Sequence, residues 1–112
     1  MGIRKEDTMN RLKKRYLQIK YKGHILNLEV LKYIGGYRTA IQAYLETGEP
    51  YDTVTVNIPS YDVDFSDEYI FLNTNHMPDI DKVLSEAGMI EIIPGIRIQS
   101  GYYTYPVARW LR

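Results

Sequence analysis

Apolar and polar residues alternate along most of the first half of the chain. The segments 16–21, 26–30, 39–45 and 53–58 each repeat with a period of two, which is the side-chain period of a β-strand. Turn signals separate these segments at Lys22-Gly23, Gly35-Gly36 and Gly48-Glu49-Pro50, and Pro59 ends the fourth by lacking an amide donor. Four strands with short connections predict an antiparallel meander.

The second half of the chain predicts further strands and one helix. The segments "EYIFLN" (68–73), "MIEII" and "IRIQSGYYTYPVARW" are extended in pattern, the last being broken near Ser100-Gly101 and bounded by Pro106. Apolar residues recur at i, i+3, i+4 and i+7 at Ile80, Val83, Leu84 and Ala87. This spacing predicts a helix over about residues 78–87. We therefore predict an α+β fold, an antiparallel β-sheet meander packed against a single main α-helix.

The first residues lack a face that a helix could bury. We predict a basic N-terminal arm over 1–14, frayed or forming a short exposed helix, and a single α+β domain over 15–112. The arm suggests a nucleic-acid-binding hypothesis, and a solvated charged tail is the alternative. Its candidate residues are Arg4, Lys5, Arg11, Lys13, Lys14 and Arg15.

Composition narrows the class of protein. The chain has 112 residues, 45% of them hydrophobic, and the absence of a long apolar run argues against a membrane segment. It contains no cysteine, which removes disulfides and thiolate chemistry and suits a reducing cytosol. We expect a cytoplasmic protein with no membrane partner.

Catalytic and metal motifs are not found in the sequence. His24 and His76 lie far apart, the serines lack a nucleophile elbow, and Gly35-Gly36 precedes a strand rather than a helix. The segment "YDVDFSDEY" (61–69) does not match a calcium loop, because Asp67 stands where that loop needs glycine. We therefore predict a protein that is not an enzyme and holds no metal or cofactor.

Charge and tyrosine content point to a binding surface instead. Residues 1–38 carry ten basic and three acidic side chains, whereas residues 46–91 carry eleven acidic ones and Lys82. This asymmetry predicts a basic face and an acidic face, unless folding interleaves the two segments. Eleven tyrosines supply aromatic surface with a polar end. The candidate partner-binding residues are Tyr61, Asp62, Asp64, Asp67, Glu68 and Tyr69.

Three strings carry a family resemblance: "VTVNIPSY" (54–61), "IFLNTNHMPDIDKVLSEAGM" (70–89) and "SGYYTYPVARW" (100–110). They resemble an uncharacterised family of small proteins encoded on phages, plasmids and conjugative elements of Gram-positive bacteria. The expected role of Asn73, Thr74 and Asn75 is to satisfy backbone groups where a strand turns into the helix, with ligand binding as the alternative. We expect tyrosines of the last string to pack near this turn.

The resemblance implies an accessory protein of a mobile element, and such proteins often disarm host defence. Carboxylates can mimic backbone phosphates in a groove lined by Lys and Arg. The leading hypothesis is thus a non-enzymatic, anti-CRISPR type inhibitor that binds a host defence nuclease in the cytoplasm of a bacterial host. The alternatives are a nucleic-acid-binding accessory protein and a homo-oligomeric module that pairs sheet edges.

Overall fold

Antiparallel strands dominate the computed structural model, which describes residues 17–112. The strands are β1 (Leu17–Tyr21), β2 (His24–Lys32), β3 (Thr39–Leu45), β4 (Pro50–Thr53), β5 (Thr55–Val56), β6 (Tyr69–Leu72), β7 (Ile90–Ser100) and β8 (Tyr103–Trp110). One helix, α1 (Ile80–Glu86), connects β6 to β7, and a 3₁₀ turn (Pro59–Tyr61) follows β5. Antiparallel strands with one short helix agree with the predicted α+β class.

The strands form two sheets of four, where we expected one. The first has the order β1-β2-β3-β4, a meander, and the second has the order β5-β6-β8-β7. The chain passes between them at Val54, whose amide donates to the Ile41 carbonyl at 2.8 Å and whose carbonyl accepts from the Asn73 amide at 2.9 Å. The segment predicted as one fourth strand is therefore split, because its two halves pair with different sheets.

The β1–β2 hairpin confirms the predicted Lys22-Gly23 turn. Lys22 has φ of 47° and Gly23 has φ of 81°. A two-residue turn with positive φ at both positions matches the right-handed twist of the flanking strands. This turn sets Leu17 opposite Leu28 and Ile19 opposite Leu26.

The main core lies between the two sheets and the helix. Leu26 and Ile41 of the first sheet, Ile70 and Leu72 of the second, and Leu84 of α1 are all fully or almost fully buried there. The helix begins and ends within the predicted range of about 78–87. Its apolar spacing thus packs one helical face against the core, as the sequence pattern predicted.

A second, smaller core lies on the opposite face of the second sheet. Phe71 of β6 and Val107 of β8 are both 0% exposed, and Tyr61 and Phe65 from the loop that precedes β6 pack over them. Both faces of β6 are therefore buried, which explains why its sequence is a continuous apolar run rather than an alternating one. The loop that carries the acidic residues forms the cover of this second core.

Pro106 lies inside β8, whereas we expected it to bound the last extended segment. It pairs with Arg97 where the β7 register shifts between Ile92 and Arg97. Gly95, with φ of 76°, lies in this bulge. On the other side of β8, the pairing with β6 extends only to Val107. A proline is tolerated here because the ladder is already interrupted beside it.

Tyr21 makes stability sensitive to alkaline pH. Its hydroxyl donates to the Pro78 carbonyl at 2.8 Å, and burial, followed by the nearby Tyr51, raises its pKa from 10.0 to about 12. The unfolded chain loses this proton near pH 10 and the folded chain near pH 12, so the stabilisation falls as pH rises through this window. We expect Tyr21→Phe to cost about 1 kcal/mol at neutral pH.

Urea unfolding at stepped pH values measures both effects. The variant should lose stability less steeply than the parent chain above pH 10. Equal slopes for the two proteins would contradict the assignment of this titration to Tyr21.

Candidate functional site

The buried guanidinium of Arg38 organises the acidic loop, defined as residues 61–69. Arg38 is only 4% exposed, and its Nη1 donates to the carbonyls of Ser66 at 2.9 Å and Tyr69 at 2.8 Å. Its Nη2 donates to the Phe65 carbonyl at 2.8 Å and to Asp62 Oδ1 at 3.2 Å. The planar fork of an arginine suits several acceptors at once. One side chain from the β2–β3 loop therefore fixes the backbone of the acidic loop.

The four acidic side chains of the loop have different surroundings. Asp62 pairs with Arg38, and the Arg109 guanidinium lies 3.7 Å from Glu68 Oε2. Asp64 and Asp67 are exposed and form no ion pair with any residue of 17–112. Asp62 and Glu68 therefore pair with arginines of the same chain, whereas Asp64 and Asp67 are left to contact solvent or a partner.

Tyr61 and Tyr69 fasten the ends of the acidic loop. The Tyr61 hydroxyl donates to the Gln99 carbonyl at 3.1 Å, and its ring lies 6.2 Å from that of Phe71. The Tyr69 ring packs edge-on against Phe65 and lies 5.6 Å from the Arg109 guanidinium. The hydrogen bond with Tyr69, and then the charge of Glu68, raise the pKa of Arg109. Both tyrosines predicted as contact residues are thus half-buried supports of the loop.

Two exposed groups of aromatic and aliphatic residues flank the acidic loop. Tyr102 is 100% exposed at the tip of the β7–β8 hairpin, which Tyr61 joins to the loop through Gln99. On the other side, Ile34 and Tyr37 are exposed in the β2–β3 loop that carries Arg38. Sequence patterns missed these residues because exposure depends on where a hairpin tip projects. The signal available in the sequence was that each of these residues lies between a strand and a turn that contains glycine.

A pocket of about 180 Å³ lies between the acidic loop and the β2–β3 loop. The backbone of Gly35 and Gly36 lines one side, and Asp62 and Asp67 line the other. Arg38 and four further residues complete the lining: Tyr33, Ile34, Asn57 and Pro59. Because Arg38 is already engaged by the acidic loop, the two carboxylates favour a positively charged group over an anion.

A larger cleft of about 420 Å³ lies where the chain passes from the first sheet to the second. It is lined by Tyr33, Asp52, Thr53, Thr55, Val56, Asn57, Asn73, Asn75, His76 and Tyr105. Asn73 is 6% exposed and donates from Nδ2 to the Thr53 carbonyl at 2.8 Å. Its backbone amide donates to the Val54 carbonyl, and its backbone carbonyl accepts from the Met77 amide. These bonds agree with the structural role expected for Asn73. Tyr105 is the terminal tyrosine that lies beside this turn.

The remaining candidates from the sequence analysis are the basic arm and the two histidines. Arg4, Lys5, Arg11, Lys13, Lys14 and Arg15 lie outside the described residues. Within 17–112, no group of three or more His, Asp or Glu side chains is placed to hold a metal ion. His76 lies 3.6 Å from Asp52, and the His24 ring packs at a tilt against the Tyr51 ring. In the same part of the chain, no helix is long and apolar enough to cross a membrane.

Comparison with known proteins places the chain in a family. No curated protein and no solved structure matches it significantly. Residues 27–111 match the family described as a domain of unknown function, DUF4313, so the match runs from within β2 to the end of β8. It includes the acidic loop, the cleft and Arg38, and it excludes β1 and the basic arm. The chain therefore belongs to the DUF4313 family.

Proposed function

We propose that the acidic loop is a protein-binding surface through which this chain, without catalysis, inhibits a host defence nuclease by occupying its nucleic-acid groove. The observation that carries the proposal is the pair Asp64 and Asp67, exposed and without an ion-pair partner in residues 17–112. A groove that binds nucleic acid is lined by Lys and Arg side chains. Two carboxylates held on a fixed backbone present the charge that such a groove attracts.

Fixation of the loop favours binding. Arg38 holds it through three carbonyl hydrogen bonds and one carboxylate contact, and Phe65 and Tyr61 anchor it to the second core. A loop that is ordered before binding loses little further conformational entropy when a partner docks. The loop is thereby suited to a specific protein partner.

Exposed aromatic side chains supply contact area on both sides of the carboxylates. Tyr102 and Tyr103 of the β7–β8 hairpin are 100% and 51% exposed, and Tyr37 is 76% exposed. Tyrosines dominate the energetics of many protein interfaces because they bury a large area at a low rotamer cost. An acidic centre flanked by tyrosines fits a basic groove with apolar rims.

The class of partner follows from the sequence resemblance. A family of small proteins on phages, plasmids and conjugative elements implies an accessory role against host defence. Among defence nucleases, CRISPR effectors hold their nucleic acid in a long basic channel. We therefore propose a CRISPR effector as the partner, in the cytoplasm of a bacterial host.

The charge of Asp64 and Asp67 is expected to decide affinity. Asp64→Asn combined with Asp67→Asn should weaken binding to a purified CRISPR nuclease about 10- to 100-fold and slow association most at low salt. Surface plasmon resonance at two salt concentrations measures both. The fold should be retained, because neither side chain contacts another charged residue of the described chain.

A matched double variant controls for loss of net charge. Glu46→Gln with Glu86→Gln removes two exposed carboxylates outside the acidic loop and should leave affinity within twofold of the parent, a margin of about 0.4 kcal/mol. Equal weakening by both double variants would refute a local role for the loop. Salt-sensitive binding of DNA or RNA alone would instead favour the basic arm.

A further inference from the structure

We infer that the cleft at the sheet junction, the 420 Å³ space described above, binds a small neutral polyhydroxylated ligand of the sugar class. This site is separate from the acidic loop and does not depend on the proposed inhibitor function. A space of this size falls within the range of small-molecule sites. Its lining combines hydroxyl, amide, carboxylate and imidazole groups with two tyrosine rings.

Two mostly buried residues on the cleft wall each keep one solvent-accessible polar atom with unused hydrogen-bonding capacity. Tyr105 is 9% exposed, and its hydroxyl has no hydrogen-bond partner in residues 17–112. Asn73 is 6% exposed and uses its Nδ2, whereas its Oδ1 accepts no hydrogen bond from that part of the chain. Both atoms can therefore pair with water or with a ligand in the cleft. A donor on a bound molecule would satisfy the Asn73 oxygen, and a hydroxyl would satisfy Tyr105.

The rest of the lining excludes other ligand classes. No Lys or Arg lines the cleft, and its one imidazole, His76, already faces Asp52 at 3.6 Å, so the lining disfavours a phosphate or a carboxylate. Val56 is its one aliphatic side chain, so its apolar surface comes also from carbon atoms of the tyrosines and the polar residues, which suits a ligand with both polar and apolar faces. The ligand groups that remain are neutral and can both donate and accept hydrogen bonds, as the hydroxyls of a sugar do. Tyr33 and Tyr105 offer rings for its less polar face.

The walls are held in place before any ligand binds. Thr55 is 2% exposed and its hydroxyl lies 2.7 Å from that of Tyr33, while the Ile41 amide donates to the same oxygen at 3.2 Å. Burial raises the pKa of Tyr33, with the Thr55 hydrogen bond opposing the shift. Tyr33 therefore stays neutral and fixed at one side of the cleft. A preformed wall reduces the entropic cost of binding.

All three strings that carry the family resemblance meet at this cleft. The first contributes Thr55, Val56 and Asn57, the second contributes Asn73, Asn75 and His76, and the third contributes Tyr105. The proposed inhibitor surface uses little of this set. The convergence gives these segments a shared role as one binding site.

NMR titration of the full chain tests the inference. The probes are glucose, N-acetylglucosamine and arabinose, with glucose 6-phosphate as the anionic counterpart. We expect saturable amide shifts confined to Thr55, Asn57, Asn75 and neighbouring cleft residues with at least one neutral sugar. Tyr105→Phe removes only the unpartnered hydroxyl and should weaken that binding about 5- to 10-fold.

Two further variants keep the outcome interpretable. Tyr103→Phe makes the same change on the exposed hairpin and should leave the affinity unchanged, whereas Asn57→Ala in the cleft should weaken it. Absence of saturable cleft shifts with all three neutral probes would overturn the inference. Tighter binding of glucose 6-phosphate, or equal effects of Tyr103→Phe and Tyr105→Phe, would overturn it as well.

Discussion

Replacement of Arg38 by methionine is expected to lower the free energy of unfolding by about 3–5 kcal/mol, because three backbone carbonyls lose hydrogen bonds to a charged donor. Methionine keeps much of the side-chain length but removes the arginine donor from the carbonyls of Phe65, Ser66 and Tyr69. The Ser66 carbonyl then keeps only the Tyr69 amide, at 3.1 Å. The ion pair with Asp62 contributes little of this cost, because Asp62 is 58% exposed. The carbonyl bonds to a charged donor dominate.

A graded series separates this network from simple loss of charge. Arg38→Lys keeps the charge but its ammonium cannot span four acceptors on both sides of a fork, so we expect an intermediate loss of about 1–3 kcal/mol. Arg97→Met on the exposed part of β7 should cost about 0.5 kcal/mol or less. Urea unfolding measures all three, and hydrogen exchange should show that Arg38→Met opens residues 61–69 first. A loss below about 1 kcal/mol for Arg38→Met would contradict the role assigned to Arg38.

Phe71→Ala is expected to destabilise the chain by about 3–5 kcal/mol through loss of a large buried ring and formation of a cavity. Phe71 is 0% exposed, its ring centroid lies 5.6 Å from that of Phe65, and the Arg38 guanidinium lies 4.8 Å above it. The variant removes the surface on which both the loop and the arginine rest. It should therefore release the acidic loop as well as weaken the second core.

Double-mutant analysis tests whether Phe71 and Arg38 act together. Because they are in contact, the combined variant should deviate from additivity by about 0.5–3 kcal/mol. Val63→Ala, at a side chain that is 96% exposed on the same loop, serves as the control and should cost about 0.5 kcal/mol or less. Strict additivity of Phe71→Ala and Arg38→Met in chemical denaturation would show that the two side chains support the loop independently.

Sequence patterns predicted the elements whose signal is local. The β1–β2 hairpin followed from alternation and a Lys-Gly turn, and α1 followed from its apolar spacing. The split at Val54 could not be predicted, because alternation keeps the same period on both sides of a bend and does not identify the pairing strand. The sequence also does not show that β7 is one continuous strand, because Pro94-Gly95 has the pattern of a break but forms a bulge inside the strand.

The sequence draws attention to the acidic segment but does not show what holds it in the fold. The acidic segment and its flanking tyrosines were identified from composition alone, yet Arg38 was counted only as one of ten basic residues in the N-terminal block. Its burial depends on a contact with a loop more than twenty residues away, for which the sequence has no periodic signal. Charge asymmetry was the available hint, since Arg38 and Asp62 come from the opposite blocks and meet in the fold.

The most direct test of the proposed binding surface is affinity purification with the tagged full chain from a Gram-positive lysate that contains an active CRISPR system. The parent chain, the Asp64→Asn/Asp67→Asn variant and the Glu46→Gln/Glu86→Gln control are compared with and without nuclease treatment of the lysate. We predict that the parent and the control recover the CRISPR effector nuclease in both conditions and that the loop variant does not. Recovery only while nucleic acid is intact, or equal recovery by the loop variant, would contradict the proposal.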